Sequence, residues 1–198
     1  LKAMGIDTIE GNLTFDYAFY PDAFRPTTWK DEFFLKWYGA EVAALTFNDN
    51  CVDLSITPGV SLEAPAVVVQ SPAIDFLEID NRAQTVKGSR QQLHYYIDSE
   101  KNKITISGTI GVSADTWTLS VPVKSPPLYF ETAFRAAMAQ SGITIVDAEV
   151  PEGSDFVKKV DLTTAPLLSI LDEVNQRSQN LHAEMLLRNL GGHEYSVG

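Results

Sequence analysis

Near the end of the chain apolar side chains recur at helical spacing, first at Leu167, Ile170, Leu171 and Val174, then at Leu181, Met185, Leu186 and Leu190. Residues three and four apart lie on one side of an α-helix, so the pattern predicts two amphipathic helices, each with one buried face. Thr163-Thr164 supply N-cap hydroxyls and Pro166 a pre-set first turn for the first helix. Gly191-Gly192 supply a left-handed stop for the second. Between the two faces lies one polar corner, Arg177-Ser178-Gln179-Asn180.

The middle of the chain alternates with period two or runs apolar in short bursts. Strands are predicted over 41–47, 51–57, 66–70 and 76–80, separated by Asn48-Asp49-Asn50, Pro58-Gly59, Ser71-Pro72 and Asn81-Arg82. Residues 92–97 and 103–107 form a hairpin across Asp98-Ser99-Glu100-Lys101-Asn102, with Ile104 and Ile106 on one face. A last strand carries Trp117, Leu119 and Val121, and Pro126-Pro127 then breaks the chain before a helix near Leu128. The aromatic run Phe33-Phe34 with Trp37-Tyr38 is read as core, and Cys51 as a packing residue of its strand.

A helix end, a glycine and an isoleucine leading into a strand occur twice. The first instance is Leu1 and Met4 with Gly5-Ile6, where the chain is expected to begin mid-helix; the second is Phe134, Ala137 and Met138 with Ser141-Gly142-Ile143, then a strand to Val146. The repetition implies one α/β subdomain made of 1–40 and 111–152, with a β-rich subdomain of 41–110 nested inside it. Pro151-Glu152-Gly153-Ser154-Asp155 is turn-rich and acidic, and places a boundary before the helical pair in 153–198. The fold class expected is therefore α+β.

Charge removes some partners. With 15 basic against 26 acidic residues the net charge is −11, which repels a phosphate backbone and offers no polybasic patch to anionic lipid. Nucleic acid is not an expected partner. A single cysteine excludes an internal disulfide and a multi-cysteine zinc site, and His94, His182 and His193 lack metal spacing. No metal and no cofactor are expected, since phosphate-cradling glycine loops are also missing. No apolar run approaches the roughly 20 residues of a transmembrane helix.

The polar corner carries the candidate chemistry. Ser and Asn favour helix caps for local hydrogen-bonding reasons, so the plain reading of Ser178 and Asn180 is an N-cap. The whole stretch Asn175-Gln176-Arg177-Ser178-Gln179-Asn180-Leu181-His182-Ala183-Glu184-Met185-Leu186-Leu187-Arg188, however, resembles the S-x-N active-site motif of penicillin-binding proteins of the D-alanyl-D-alanine carboxypeptidase/endopeptidase family, the type with a large insertion between S-x-x-K and S-x-N. Met4-Gly5-Ile6 with Ile9-Glu10-Gly11-Asn12-Leu13, Asp16 and Phe19 is similar to that family too, as are Trp29, Tyr38-Gly39-Ala40, Ala44-Leu45-Thr46-Phe47-Asn48-Asp49-Asn50 and Thr57-Pro58-Gly59. Trp117-Thr118-Leu119-Ser120-Val121-Pro122-Val123, Pro126-Pro127-Leu128 and Ser141-Gly142-Ile143 resemble the insertion's exit.

The resemblance implies a helical pair returning to a transpeptidase-like catalytic domain, and a catalytic pair, Ser178 and Asn180. In that chemistry a serine activated by a lysine one helical turn along attacks an amide. The S-x-N hydroxyl relays a proton to the leaving amine, its asparagine binds the substrate amide, and a K-T-G strand grips the terminal carboxylate. Here no serine stands three residues before a lysine and no K-T-G occurs. The central residue of the motif is often Asp in the family, and Gln179 departs from that. The expectation is thus a fragment of a serine-type carboxypeptidase acting on peptidoglycan stem peptides outside the cytoplasm, in the periplasm or cell envelope, with peptidoglycan peptide and β-lactams as ligands of the full-length protein. The alternative is a cell-wall or protein-binding module that kept the architecture and lost the chemistry.

Overall fold

The computed structural model describes residues 1–16, 18, 20, 25–146, 148 and 166–195. The expected boundary at 151–155, the caps Thr163-Thr164, Phe19 and the side chain of His193 lie outside the described residues. Among those described are nine strands and three α-helices.

The two helix–glycine–strand units meet. Gly5 (φ 77) and Gly142 (φ 70) end their helical turns in the left-handed region, which a Cβ disfavours. The strands that follow, β1 (Thr8–Glu10) and β9 (Thr144–Val146), pair in parallel with Ile9 opposite Ile145. All the other strands lie in the chain between them.

Those residues build two small sheets around one core. The first has the order β3-β2-β8, all antiparallel, from Val67–Ser71, Cys51–Thr57 and Trp117–Pro122. In the second, β7 (Lys103–Gly111) pairs antiparallel with β6 (Gln91–Asp98) and in parallel with β4 (Glu78–Asn81) and then β5 (Gln84–Val86). Alternation dictates what each sheet buries: Val52, Leu54 and Ile56 from β2 join Ile104, Ile106 and Ile110 from β7 in one core, with Val121 of β8. Helix α1 (Pro126–Gln140) adds Tyr129 and Ala133, its two prolines occupying first-turn positions that need no N–H partner.

Residues 41–47 are not a strand. Ala40, Val42 and Ala43 are buried, but their backbone runs irregularly and is fixed by side chains instead of a ladder. Glu41 is buried, accepts from Arg25 Nε at 2.9 Å, and accepts the Ser125 backbone N–H at 3.0 Å beside the α1 N-terminus, where negative charge is favoured. Asn50, wholly buried, donates to the Glu41 carbonyl at 2.7 Å. Three consecutive left-handed residues, Asn48, Asp49 and Asn50 (φ 47, 51 and 54), then turn the chain into β2. Asn and Asp tolerate that region better than other side chains.

The helical pair differs from expectation in two respects. Helix α2 (Leu167–Arg177) has no buried residue, and Leu167 (59% exposed) and Leu168 (70%) face outward, because periodicity records which side chains share a face and not what covers it. Helix α3 (Asn180–Tyr195) continues through Gly191-Gly192, where intact helix tolerates the glycines at a cost. The aromatic run departs from its core reading as well. Of its four residues only Phe34 is buried; Trp37 is exposed, and the segment forms two 3-10 turns, Asp31–Leu35 and Trp37–Gly39.

Candidate active site

Ser178 and Asn180 stand at the junction of α2 and α3, and both are exposed. Ser178 ends α2 in the left-handed conformation (φ 53, ψ 44), which costs a non-glycine residue about 1–2 kcal/mol. An N-cap has extended angles and a bonded hydroxyl; Ser178 has neither, and among the described residues its side chain makes no hydrogen bond. The plain cap reading therefore does not describe it. Residues held in sparsely populated backbone regions persist where the surroundings fix them.

The surroundings come from the loop around residue 49 and the turn around residue 38. Asn180 Nδ2 donates to the Tyr38 carbonyl at 3.1 Å, which leaves its Oδ1 as the free acceptor. Gln179 is buried between the two, and its Nε2 donates to Asp49 Oδ2 at 3.0 Å. His182 Nε2 lies 3.0 Å from Asp49 Oδ1. The Tyr38 carbonyl is held in place by a close backbone crossing: a Cβ on Gly39 would lie 2.0 Å from the Phe33 carbonyl oxygen, so no other residue fits there without moving the turn.

Farther along α3 the docking continues. Tyr20 OH donates to the Met185 carbonyl at 3.1 Å and accepts from Asn189 Nδ2 at 2.7 Å; burial raises the Tyr20 phenol pKa, opposed by the Arg188 guanidinium 5.7 Å from its ring. Thr46 Oγ1 lies 3.7 Å from Met185 Sδ, and Arg188 pairs with Glu184 at 3.1 Å, both side chains mostly shielded from solvent. Leu181 is buried. One face of α3 is thus bound to the segment 20–50, while α2 carries no such anchors among the described residues.

Sequence reading singled out Ser178 and Asn180 as candidates, and did not single out Asp49, Tyr38 and Tyr20, which the structure brings against the turn and α3. Asn48-Asp49-Asn50 was visible as a turn, but nothing local pairs a turn with a helix 130 residues later. No group of three or more His, Cys, Asp or Glu side chains among the described residues could hold a metal ion, and no described helix is long and apolar enough to cross a membrane.

The same architecture occurs in known proteins. The model of the D-Ala-D-Ala carboxypeptidase 3 (S13) family matches residues 1–197. A D-alanyl-D-alanine carboxypeptidase of Actinomadura sp. strain R39 is 29% identical over 210 residues, which cover 100% of this chain and 39% of the relative. Penicillin-sensitive carboxypeptidase A of Dictyostelium discoideum is 26% identical over 193 residues, covering 90% of this chain and 37% of the relative. In fold, the crystal structure of penicillin binding protein 4 from Haemophilus influenzae superposes with a TM-score of 0.70 at 17% identity, over 98% of this chain and 44% of that one. A second structure of that protein, in complex with a β-lactam, gives 0.53 at 16% identity over 92% and 39%. The chain spans less than half the length of each.

Proposed function

Because the chain belongs to the D-Ala-D-Ala carboxypeptidase 3 (S13) family, we propose that it supplies the insertion and the S-x-N turn of a serine-type carboxypeptidase that removes the terminal D-Ala from peptidoglycan stem peptides outside the cytoplasm. The nucleophile and the carboxylate-gripping strand belong to segments that this sequence does not contain. The observation that carries the reading is the pairing of a Ser178 hydroxyl unbonded among the described residues, in a strained left-handed turn, with an Asn180 carboxamide whose nitrogen is already tethered.

Each group has one task. Acylation breaks the peptide C–N bond as the nucleophilic serine forms an ester, and the departing D-Ala nitrogen needs a proton. The Ser178 hydroxyl gives its proton to that nitrogen and takes one from the base that deprotonated the nucleophile, so charge does not accumulate on the leaving group. Asn180 Oδ1 accepts the substrate amide N–H, since its Nδ2 is committed to Tyr38. A β-lactam follows the same acylation path. In this reading 1–40 with 111–152 surround 41–110 in sequence as the insertion, β8 and α1 sharing the core of β2 and β7, and 153–198 returns to the catalytic domain.

The test is acylation by a labelled penicillin in the longer protein that carries S-x-x-K and K-T-G. Ser178→Ala is expected to lower the rate constant on the order of a hundredfold at a near-normal melting temperature, and Asn180→Ala to weaken acylation by both peptide and β-lactam. Wild-type rates in both variants would reject the catalytic assignment of Ser178 and Asn180, and a reading frame without the two flanking motifs would favour the non-catalytic binding module.

A further inference from the structure

We propose that Asp49 is the positioning residue of the Ser178-Gln179-Asn180 turn: its carboxylate holds Gln179 on one oxygen and His182 on the other, and so sets the direction of the two groups between and beside them. The inference rests on the catalytic reading of Ser178 and Asn180.

The two anchors bracket Asn180 in sequence. Gln179 precedes it and His182 follows within the first turn of α3, so one carboxylate fixes the path of the chain from the turn into the helix. Neither side chain has another hydrogen bond among the described residues; Gln179 Oε1 and His182 Nδ1 are buried without partners. Removing the Asp49 carboxylate therefore releases both. The tether that remains at the turn itself, Asn180 to the Tyr38 carbonyl, constrains one point only, since the Tyr20 bonds to Met185 and Asn189 lie farther along α3.

Asp49 is itself rigidly placed. It is the middle residue of three in the left-handed region, between Asn48, which donates to the Cys51 carbonyl at 2.8 Å, and buried Asn50, which donates to the Glu41 carbonyl. The Cys51 carbonyl also accepts from Tyr129 at 2.9 Å, in the core shared by β2 and α1. The β module thereby reaches the candidate active site through a chain of hydrogen bonds that ends on a carboxylate, and a reacting group misplaced by about 1 Å loses on the order of a hundredfold in rate.

The experiment compares Asp49→Ala, Asp49→Asn and the wild type. In the 198-residue chain, amide exchange by NMR is expected to quicken at 178–182 in Asp49→Ala while amides of β2 and β7 keep their protection. In the longer protein, the same variant is expected to lose at least about tenfold in the rate constant for penicillin acylation with little change in binding. Asp49→Asn retains an acceptor for Gln179 and is expected to recover most of both losses. Unchanged exchange at 178–182, or faster exchange spread evenly over the core, overturns the inference. Locally faster exchange with unchanged acylation also overturns it as a positioning role, and Ser178→Ala run alongside then tells whether the catalytic reading has failed with it.

Discussion

The Tyr129 phenol donates a 2.9 Å hydrogen bond to the Cys51 carbonyl, and its ring lies 5.5 Å from Phe47 and 4.9 Å from Phe76. One fully buried side chain thus joins α1 to the first residue of β2, next to the turn that presents Asp49. Tyr129→Phe removes only the hydroxyl, and Asn48 still serves the Cys51 carbonyl, so the expected loss is about 1 kcal/mol in denaturant melts. Tyr129→Ala also opens a cavity, and should cost about 3–5 kcal/mol. Equal losses in the two variants would mean that the ring's packing contributes nothing.

The same pair gives the protein an alkaline limit. Burial pushes the Cys51 thiol pKa upward, reinforced by Asp53 and Asp49, and burial likewise pushes up the Tyr129 phenol, with Cys51 adding to it. Both are neutral when protonated, and the unfolded chain ionises them first. The stability they contribute is therefore complete below the unfolded pKa values, about 8.5 for Cys and 10 for Tyr, and is lost as pH rises above them. Each group steepens the loss by about 1.4 kcal/mol per pH unit once it ionises in the unfolded chain. Urea melts from about pH 7 to about pH 10.5 should show a decline beginning near about pH 8.5–9, and Cys51→Ala should move its onset toward about 10. A flat profile would contradict the assignment.

Gly39 tests the other tether. A methyl group placed 2.0 Å from the Phe33 carbonyl cannot be accommodated without shifting one of the two 3-10 turns, and Tyr38, whose carbonyl holds Asn180, is the residue just before it. Gly39→Ala is expected to destabilise the chain by about 1–3 kcal/mol, the usual cost of overpacking. It should also shift the NMR side-chain amide signal of Asn180. A stability loss that leaves that signal in place would show that the turn yields on its Phe33 side.

How much of this was legible beforehand depended on how local the determining interactions are. β2, β7 and the hairpin between β6 and β7 follow from alternation alone, because Leu54 or Ile106 is apolar and its neighbours are not. Residues 41–47 have an apolar run too, but the buried Asn50 and Glu41 that hold it draw Arg25 and Ser125 into the same network, so its irregular path was invisible. β5 was missed because three residues carry no period. Ser178 and Asn180 were singled out through resemblance, whereas Asp49 was not, since its two partners are separated from it by 130 and 133 residues. The exposed Leu167 and Leu168 show the converse limit: a correct helix with apolar side chains facing outward.

The last prediction separates Ser178 as a proton relay from Ser178 as a nucleophile. In this chain no serine precedes a lysine by three residues, so no hydroxyl has the amine one helical turn away that activates the family's attacking serine. The 198-residue chain incubated with a labelled penicillin is therefore expected to carry no covalent adduct by intact-mass measurement, under conditions in which the longer protein is stoichiometrically acylated. A stoichiometric adduct on Ser178 would reassign it as the attacking group, since its hydroxyl is exposed and unbonded among the described residues. An adduct elsewhere would locate a nucleophile that the S-x-N reading does not include. With no adduct on the chain and a Ser178→Ala variant of the longer protein that still acylates, but on the order of a hundredfold more slowly, the hydroxyl acts on a bond that another serine breaks.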